Sequence, residues 1–78
     1  TGRSEEGGKV RRYLVVIEQA EGNLSAYSPD LDGCVATGKT REEVEANMRE
    51  AIRLHIAGLQ QDGLPIPEPR SSADYVVV

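Results

Sequence analysis

Tryptophan and phenylalanine are absent from these 78 residues, and cysteine, histidine and methionine occur once each. A hydrophobic core must therefore be assembled from Val, Ile, Leu, Ala, the single Met and three Tyr. The lone Cys34 excludes an intramolecular disulfide, and one Cys with one His cannot close a four-ligand zinc site. A reducing, cytoplasmic setting is the expectation. No apolar run approaches the ~18 residues of a membrane span, and no signal-peptide hydrophobic region follows the first residues. The net charge of −4 argues against a phosphate-backbone binder, which needs clustered Lys and Arg. Basic residues gather early, at Arg3, Lys9, Arg11 and Arg12, whereas residues 13–69 hold four basic against ten acidic side chains, a balance of −6. A cationic protein is the better-matched partner.

Residues 27–59 are the stretch around which the chain is organised, because they lead from a proline-marked bend through a short strand into one long amphipathic helix. Thr40 and Glu43 form the Thr-x-x-Glu order of a capping box, in which the hydroxyl accepts from the Glu43 amide and the carboxylate reaches back to the Thr40 amide. Glu42, Glu43 and Glu45 then lie where the positive end of the helix dipole favours them. At about 100° per residue, Val44, Met48, Ala51, Ile52, His55 and Leu59 share one stripe, and Glu42, Glu45, Arg49, Glu50 and Arg53 the opposite one. The helix is predicted over residues 41–62, ended by Gly63 and Pro65.

Before it, residues 10–19 read as a strand with Tyr13, Val15 and Ile17 on one face and Leu14 and Val16 on the other. Residues 20–23 make a turn, residues 24–28 return antiparallel, and residues 34–37 form a short third strand. After the helix, residues 64–69 form a proline-rich strap with Leu64 and Ile66 as anchors, and residues 75–78 form a fourth, apolar strand. The fold class is α+β, in the order β-β-β-α-β, with one long helix on one face of an antiparallel sheet. Residues 1–9 are expected to be a flexible leader and residues 10–78 a single domain. One helix covers one face only, so Leu14 and Val16 are left on an apolar surface that monomers seldom expose. A homodimer or higher even oligomer with these two residues at or near the contact is the expectation.

Pro29-Asp30-Leu31-Asp32-Gly33-Cys34, followed by Gly38-Lys39-Thr40, Glu43, Asn47, Ala51 and then Asp62-Gly63-Leu64-Pro65-Ile66-Pro67, resembles the HicB antitoxin family in its short, UPF0150-type form. The resemblance spans about residues 13–69. Asp32 stands where the family commonly has Pro, and Val44 where it commonly has Ala. The resemblance implies a degenerate RNase H-like fold and a role as the protein partner of a small basic RNA-cleaving toxin of the HicA type, neutralised by occlusion. Many relatives continue into a helix-turn-helix or ribbon-helix-helix segment that binds operator DNA; with Val78 the last residue, no direct DNA binding is expected from this stretch alone.

Chemistry-bearing residues have blander readings that fit better. Asp30 and Asp32, with Glu43, could be imagined around magnesium, but such a site needs carboxylates converging from separate elements, and an Asx-type bend at Asp30 with a solvated Asp32 suffices. His55 lies mid-stripe on the helix as a structural or interface histidine. Cys34 has only His55 as a conceivable base and reads as a small buried hydrophobe. The glycines mark turns and form no phosphate loop. The charged helix face reads as solvated, with a Glu45–Arg49 pair at i,i+4. No catalytic, metal or cofactor residue is assigned. The interface candidates are Leu14 and Val16 on the sheet and Glu42 and Glu45 on the helix. Two rivals to the antitoxin reading are a stand-alone oligomer of the same family and a weak metal-dependent nuclease.

Overall fold

The computed structural model describes residues 10–78; the expected leader at residues 1–9 lies outside them. Among the described residues, three strands, β1 (Val16–Ala20), β2 (Asn23–Ser28) and β3 (Leu31–Gly38), precede one helix, α1 (Arg41–Gln61). The sheet is antiparallel in the order β1-β2-β3. This is the β-β-β-α part of the expected order. Residues 75–78, expected as a fourth strand, form no strand, because a strand exists only where a neighbour takes its hydrogen bonds. For the same reason β1 begins at Val16 rather than at residue 10: its pairing with β2 runs from Val16 opposite Tyr27 to Ala20 opposite Asn23.

The third strand starts at Leu31, three residues earlier than predicted, and an irregularity explains why alternation concealed it. Ser28 pairs with Leu31, yet the next ladder partner of Tyr27 is Val35, so β3 holds extra residues opposite an uninterrupted β2. Gly33 lies in this bulge at φ 76°, a backbone region that L side chains resist. Leu31 and Cys34, three residues apart, are both buried. In a regular strand they would point to opposite faces.

The core consists of Ala26 from β2, Leu31 and Cys34 from β3, and Val44 and Met48 from α1, with Tyr13, Val15, Ile17, Leu24, Ala36, Ala51 and Ile52 packed around it. Complete burial of a side chain such as Val44 or Met48 stabilises the fold by about 1.5–3 kcal/mol each. Of the predicted stripe, Leu59 and His55 are only half-buried, towards the helix C-terminus. The helix rests on β3 and, less extensively, on β2, and makes no close backbone approach to β1. Helix and sheet therefore diverge on the β1 side.

What sets this geometry is the helix N-terminus. A Cβ on Gly38 would stand 2.6 Å from the Val44 nitrogen and 2.8 Å from its Cα, so only glycine lets the first turn of α1 lie against the end of β3. The Thr40 hydroxyl accepts from the Glu43 amide at 3.1 Å, as predicted. The Glu43 carboxylate reaches one residue further than predicted, accepting from the Lys39 amide at 2.8 Å and tying the turn itself to the helix. Asn47 donates its side-chain amide to the Thr37 carbonyl at 2.8 Å, a second stitch between α1 and β3. At the other end, Leu64 N–H bonds to Leu59 C=O and Gly63 N–H to Gln60 C=O, with Gly63 at φ 69°. That is a Schellman cap, and it stops the helix where the sequence indicated.

Two glycine substitutions separate the effects of space and of backbone freedom. Gly38→Ala should destabilise the fold by about 1–3 kcal/mol, since the obstruction is backbone and cannot swing aside. Gly58→Ala, within α1 and with nothing near its Cβ, should stabilise by up to about 1 kcal/mol. Urea unfolding of both variants measures the two signs.

Candidate functional site

The sheet turns one face to α1 and the other outward. Cross-strand register places Val16, Tyr27 and Val35 in one row over three strands, because each is the direct partner of the next. Val16 and the preceding Leu14 are half-buried, while Tyr27 is 40% and Val35 64% exposed. Leu14 and Val16 were legible as outward-facing from the alternation of the first strand. Tyr27 and Val35 join the same surface through cross-strand register, which local alternation does not supply. The charged residues within the three strands are Glu18 and Asp32, with no Lys or Arg. This outer face is apolar at its centre, with Glu18 two residues along β1 from Val16.

On the opposite side, the divergence of α1 from β1 leaves an open groove of about 850 Å³. Val15 and Ile17 of the β1 arm and Met48, Ile52 and Ile56 of the helix contribute its apolar lining. Five arginines, Arg11, Arg12, Arg41, Arg49 and Arg53, line it against two acids, Glu45 and Glu50. Glu45 does not pair with Arg49 as expected; its carboxylate meets Arg41 Nε at 3.1 Å, one helical turn towards the N-terminus. Glu50 and Arg53 approach to 3.8 Å. The groove is thus basic on a chain that is acidic as a whole. The four interface candidates lie apart: Val16 is in β1 and Leu14 in the segment leading into it, Glu45 lines the groove, and Glu42 is exposed in the first helical turn.

The strap after α1 is fastened at two points. The Tyr13 hydroxyl donates to the Pro67 carbonyl. Asp30 is more than an Asx bend: its carboxylate accepts from the backbone N–H groups of Arg70 and Ser71 and from the Ser71 hydroxyl, each at 2.9 Å. These bonds, led by the Ser71 and Arg70 amides, hold the Asp30 pKa below its ordinary value. Burial raises the Tyr13 hydroxyl above its ordinary pKa, opposed by Arg11 and reinforced by Glu68 and Asp30. Ile66 is half-buried and anchors the strap, whereas Leu64 is largely exposed.

The remaining candidates have structural surroundings. Asp30 spends both oxygens on residues 70 and 71, and Glu43 is engaged with Lys39, so the carboxylates weighed as a magnesium set do not converge. Among the described residues, no three His, Cys, Asp or Glu side chains are grouped to hold a metal ion. Cys34 is a buried free thiol whose pKa burial pushes up, the opposite of what a thiolate nucleophile requires. No helix among the described residues is long and apolar enough to cross a membrane.

Residues 13–77 match the family described as the HicB-like antitoxin of bacterial toxin-antitoxin systems. The chain belongs to the HicB-like antitoxin family. A UPF0150 protein of Helicobacter pylori is 40% identical over 57 residues, 73% of this chain and 79% of its own length. A UPF0150 protein of Thermoplasma acidophilum is 37% identical over 68 residues, 86% of this chain and 96% of its own. Among solved structures, a chain of the HicA3 and HicB3 toxin-antitoxin complex superposes with a TM-score of 0.67 at 33% identity, over 77% of this HicB-like chain and 70% of that one. The family residues now have physical roles: Pro29–Cys34 make the turn and bulge, Gly38 the close helix approach, and Asn47 the stitch to β3.

The strap fixes a pH dependence. A carboxylate with a depressed folded pKa contributes stability that is complete above its unfolded value, about 3.9, and disappears as pH falls through the folded value. The Asp30 carboxyl signal should therefore titrate below that of an unfolded-chain aspartate, and amide exchange at Arg70 and Ser71 should accelerate together with its protonation. Asp30→Ala should produce the fast exchange already at neutral pH. A normal Asp30 midpoint with slow exchange in Asp30→Ala would show the strap to be held elsewhere.

Proposed function

We propose that this chain is an antitoxin that binds a small, basic, RNA-cleaving toxin of the HicA type and blocks it by occlusion, without catalysis of its own. The observation that carries the reading is its likeness, at 33% identity, to a chain of a HicA3–HicB3 toxin-antitoxin complex. Charge adds an independent argument about where the toxin binds. The outer sheet face offers Val16, Tyr27 and Val35 as an apolar centre, with Glu18 and Asp32 and no cation in its strands. A cationic toxin meets attraction there and repulsion at the arginine-lined groove. Leu14 extends the same apolar surface. Glu42, exposed in the first turn of α1, contributes to steering, and Glu45 is engaged with Arg41.

On this reading the protein works in the cytoplasm, where the toxin's RNA substrates are. Apolar contact at the sheet holds the complex, and the acidic side chains accelerate encounter, so association slows as salt screens the charges.

The test combines the chain with the purified product of a small basic reading frame adjacent to its own and follows RNA cleavage. Cleavage should cease near equimolar ratio; undiminished cleavage at several-fold excess would overturn the reading. Tyr27→Lys with Val35→Lys, both at exposed positions, should weaken inhibition by about tenfold or more at unchanged thermal stability. Reversal of Glu42 and Glu45 to Lys should alter the association rate and its salt dependence more than the final extent of inhibition.

A further inference from the structure

Two aspartates of this chain stand directly before a glycine, Asp32 before Gly33 and Asp62 before Gly63. Such a pair is chemically labile, because glycine has no side chain to keep its amide nitrogen from closing on the aspartate carboxyl carbon. The fold holds the two pairs very differently. At the helix end the Gly63 amide is spent on the Gln60 carbonyl and the Asp62 amide on the Gly58 carbonyl, both at 3.1 Å, with Asp62 at ψ −1°. At that angle the Gly63 nitrogen eclipses the Asp62 nitrogen rather than its Cβ, so the cap must break before a ring can close.

Asp32 and Gly33 lie in the bulge of β3. The ladder passes from Ser28 opposite Leu31 to Tyr27 opposite Val35, which leaves both residues without a partner on β2. β3 is also an edge of the sheet, so among the described residues no strand lies on its other side. Both residues are exposed, and nothing stands within 4 Å of the position a Gly33 Cβ would take. Asp30 is held by three bonds, whereas the Asp32 carboxylate has no hydrogen bond or ion pair among the described residues. Closing a ring here requires rotation within the bulge alone.

We propose that Asp32 and Gly33 form a self-acting modification site, at which the folded chain converts to an isoaspartyl form that loosens β3. The Gly33 nitrogen attacks the Asp32 side-chain carboxyl carbon. The N–Cγ bond forms, and the amide proton leaves with the carboxyl hydroxyl as water, giving a cyclic imide. Water then adds at the Asp32 main-chain carbonyl and breaks its bond to nitrogen, so that the backbone runs through Cγ and a free α-carboxylate remains. Water is released and consumed in equal amount, the charge is conserved, and no cofactor takes part. The product carries one extra backbone atom between Leu31 and Cys34. Both of those residues are buried in the core through the geometry of the bulge, and a longer backbone displaces one of them. Time, rather than a ligand, sets this change. It requires no toxin and is independent of the antitoxin reading.

The test is to incubate the intact chain in neutral buffer at physiological temperature over weeks and to locate isoaspartate by peptide mapping with electron-transfer fragmentation. Isoaspartate at position 32 should build up at least several-fold faster than at position 62. In urea that preference should vanish, since both glycine amides are then equally free. Asp32→Glu, at an exposed position, should keep the circular dichroism of the parent and form no product there, because the larger imide ring closes far more slowly. The chromatographically separated isoaspartyl chain should melt at a lower temperature than the fresh chain, while Asp32→Glu aged in parallel melts unchanged. Equal rates at positions 32 and 62 in the folded chain would overturn the proposal, as would an isoaspartyl chain that melts with the fresh one.

Discussion

The close approach of α1 to β3 at Gly38 is the constraint on which the remainder of the structure depends. Backbone-to-backbone contact between Gly38 and Val44 fixes the helix over β3 and β2, and the Thr40 cap, the Glu43–Lys39 bond and the Asn47–Thr37 bond lock its direction. With the N-terminus held there, Val44 and Met48 enter the core, and the later turns pass beside β1 without covering it. One contact thereby determines both the buried centre and the open groove. The outer sheet face is left bare by the same arithmetic, since a single helix has only one side of the sheet to cover.

The two surfaces differ in sign as well as in place. Five arginines line the groove, whereas the charged residues within the three strands are the acids Glu18 and Asp32. With such a division, a cationic molecule meets attraction on one side of the chain and repulsion on the other. Glu45 and Glu50 soften the groove through their pairs with Arg41 and Arg53, which are exposed and worth little to stability. Their effect is chiefly on the local field.

Local signals were legible in the sequence and nonlocal ones were not. Thr40, Glu43 and Gly63 announced both ends of the helix because caps depend on residues within a turn of one another. Asp30 was read as a bend residue since its partners, Arg70 and Ser71, lie some forty positions away and nothing nearby in sequence points to them. That Tyr27 and Val35 stand in one row with Val16 follows from cross-strand pairing, which no local pattern in the sequence supplies. Residues 75–78 have the composition of a strand, but composition cannot supply a neighbour. The resemblance to HicB-like antitoxins was carried by Pro29–Cys34, Gly38–Thr40, Glu43 and Asn47, residues that build the fold, and this is why the family was legible.

On the proposed function, a toxin of the HicA type occupies the outer sheet face and leaves the groove alone. Methyl-detected NMR of the chain titrated with that toxin measures this directly, since Val16 and Val35 report on one surface and Ile52 and Ile56 on the other. Large shifts or broadening are expected at Val16 and Val35, with Ile52 and Ile56 unmoved. Perturbations confined to Ile52 and Ile56 would contradict it.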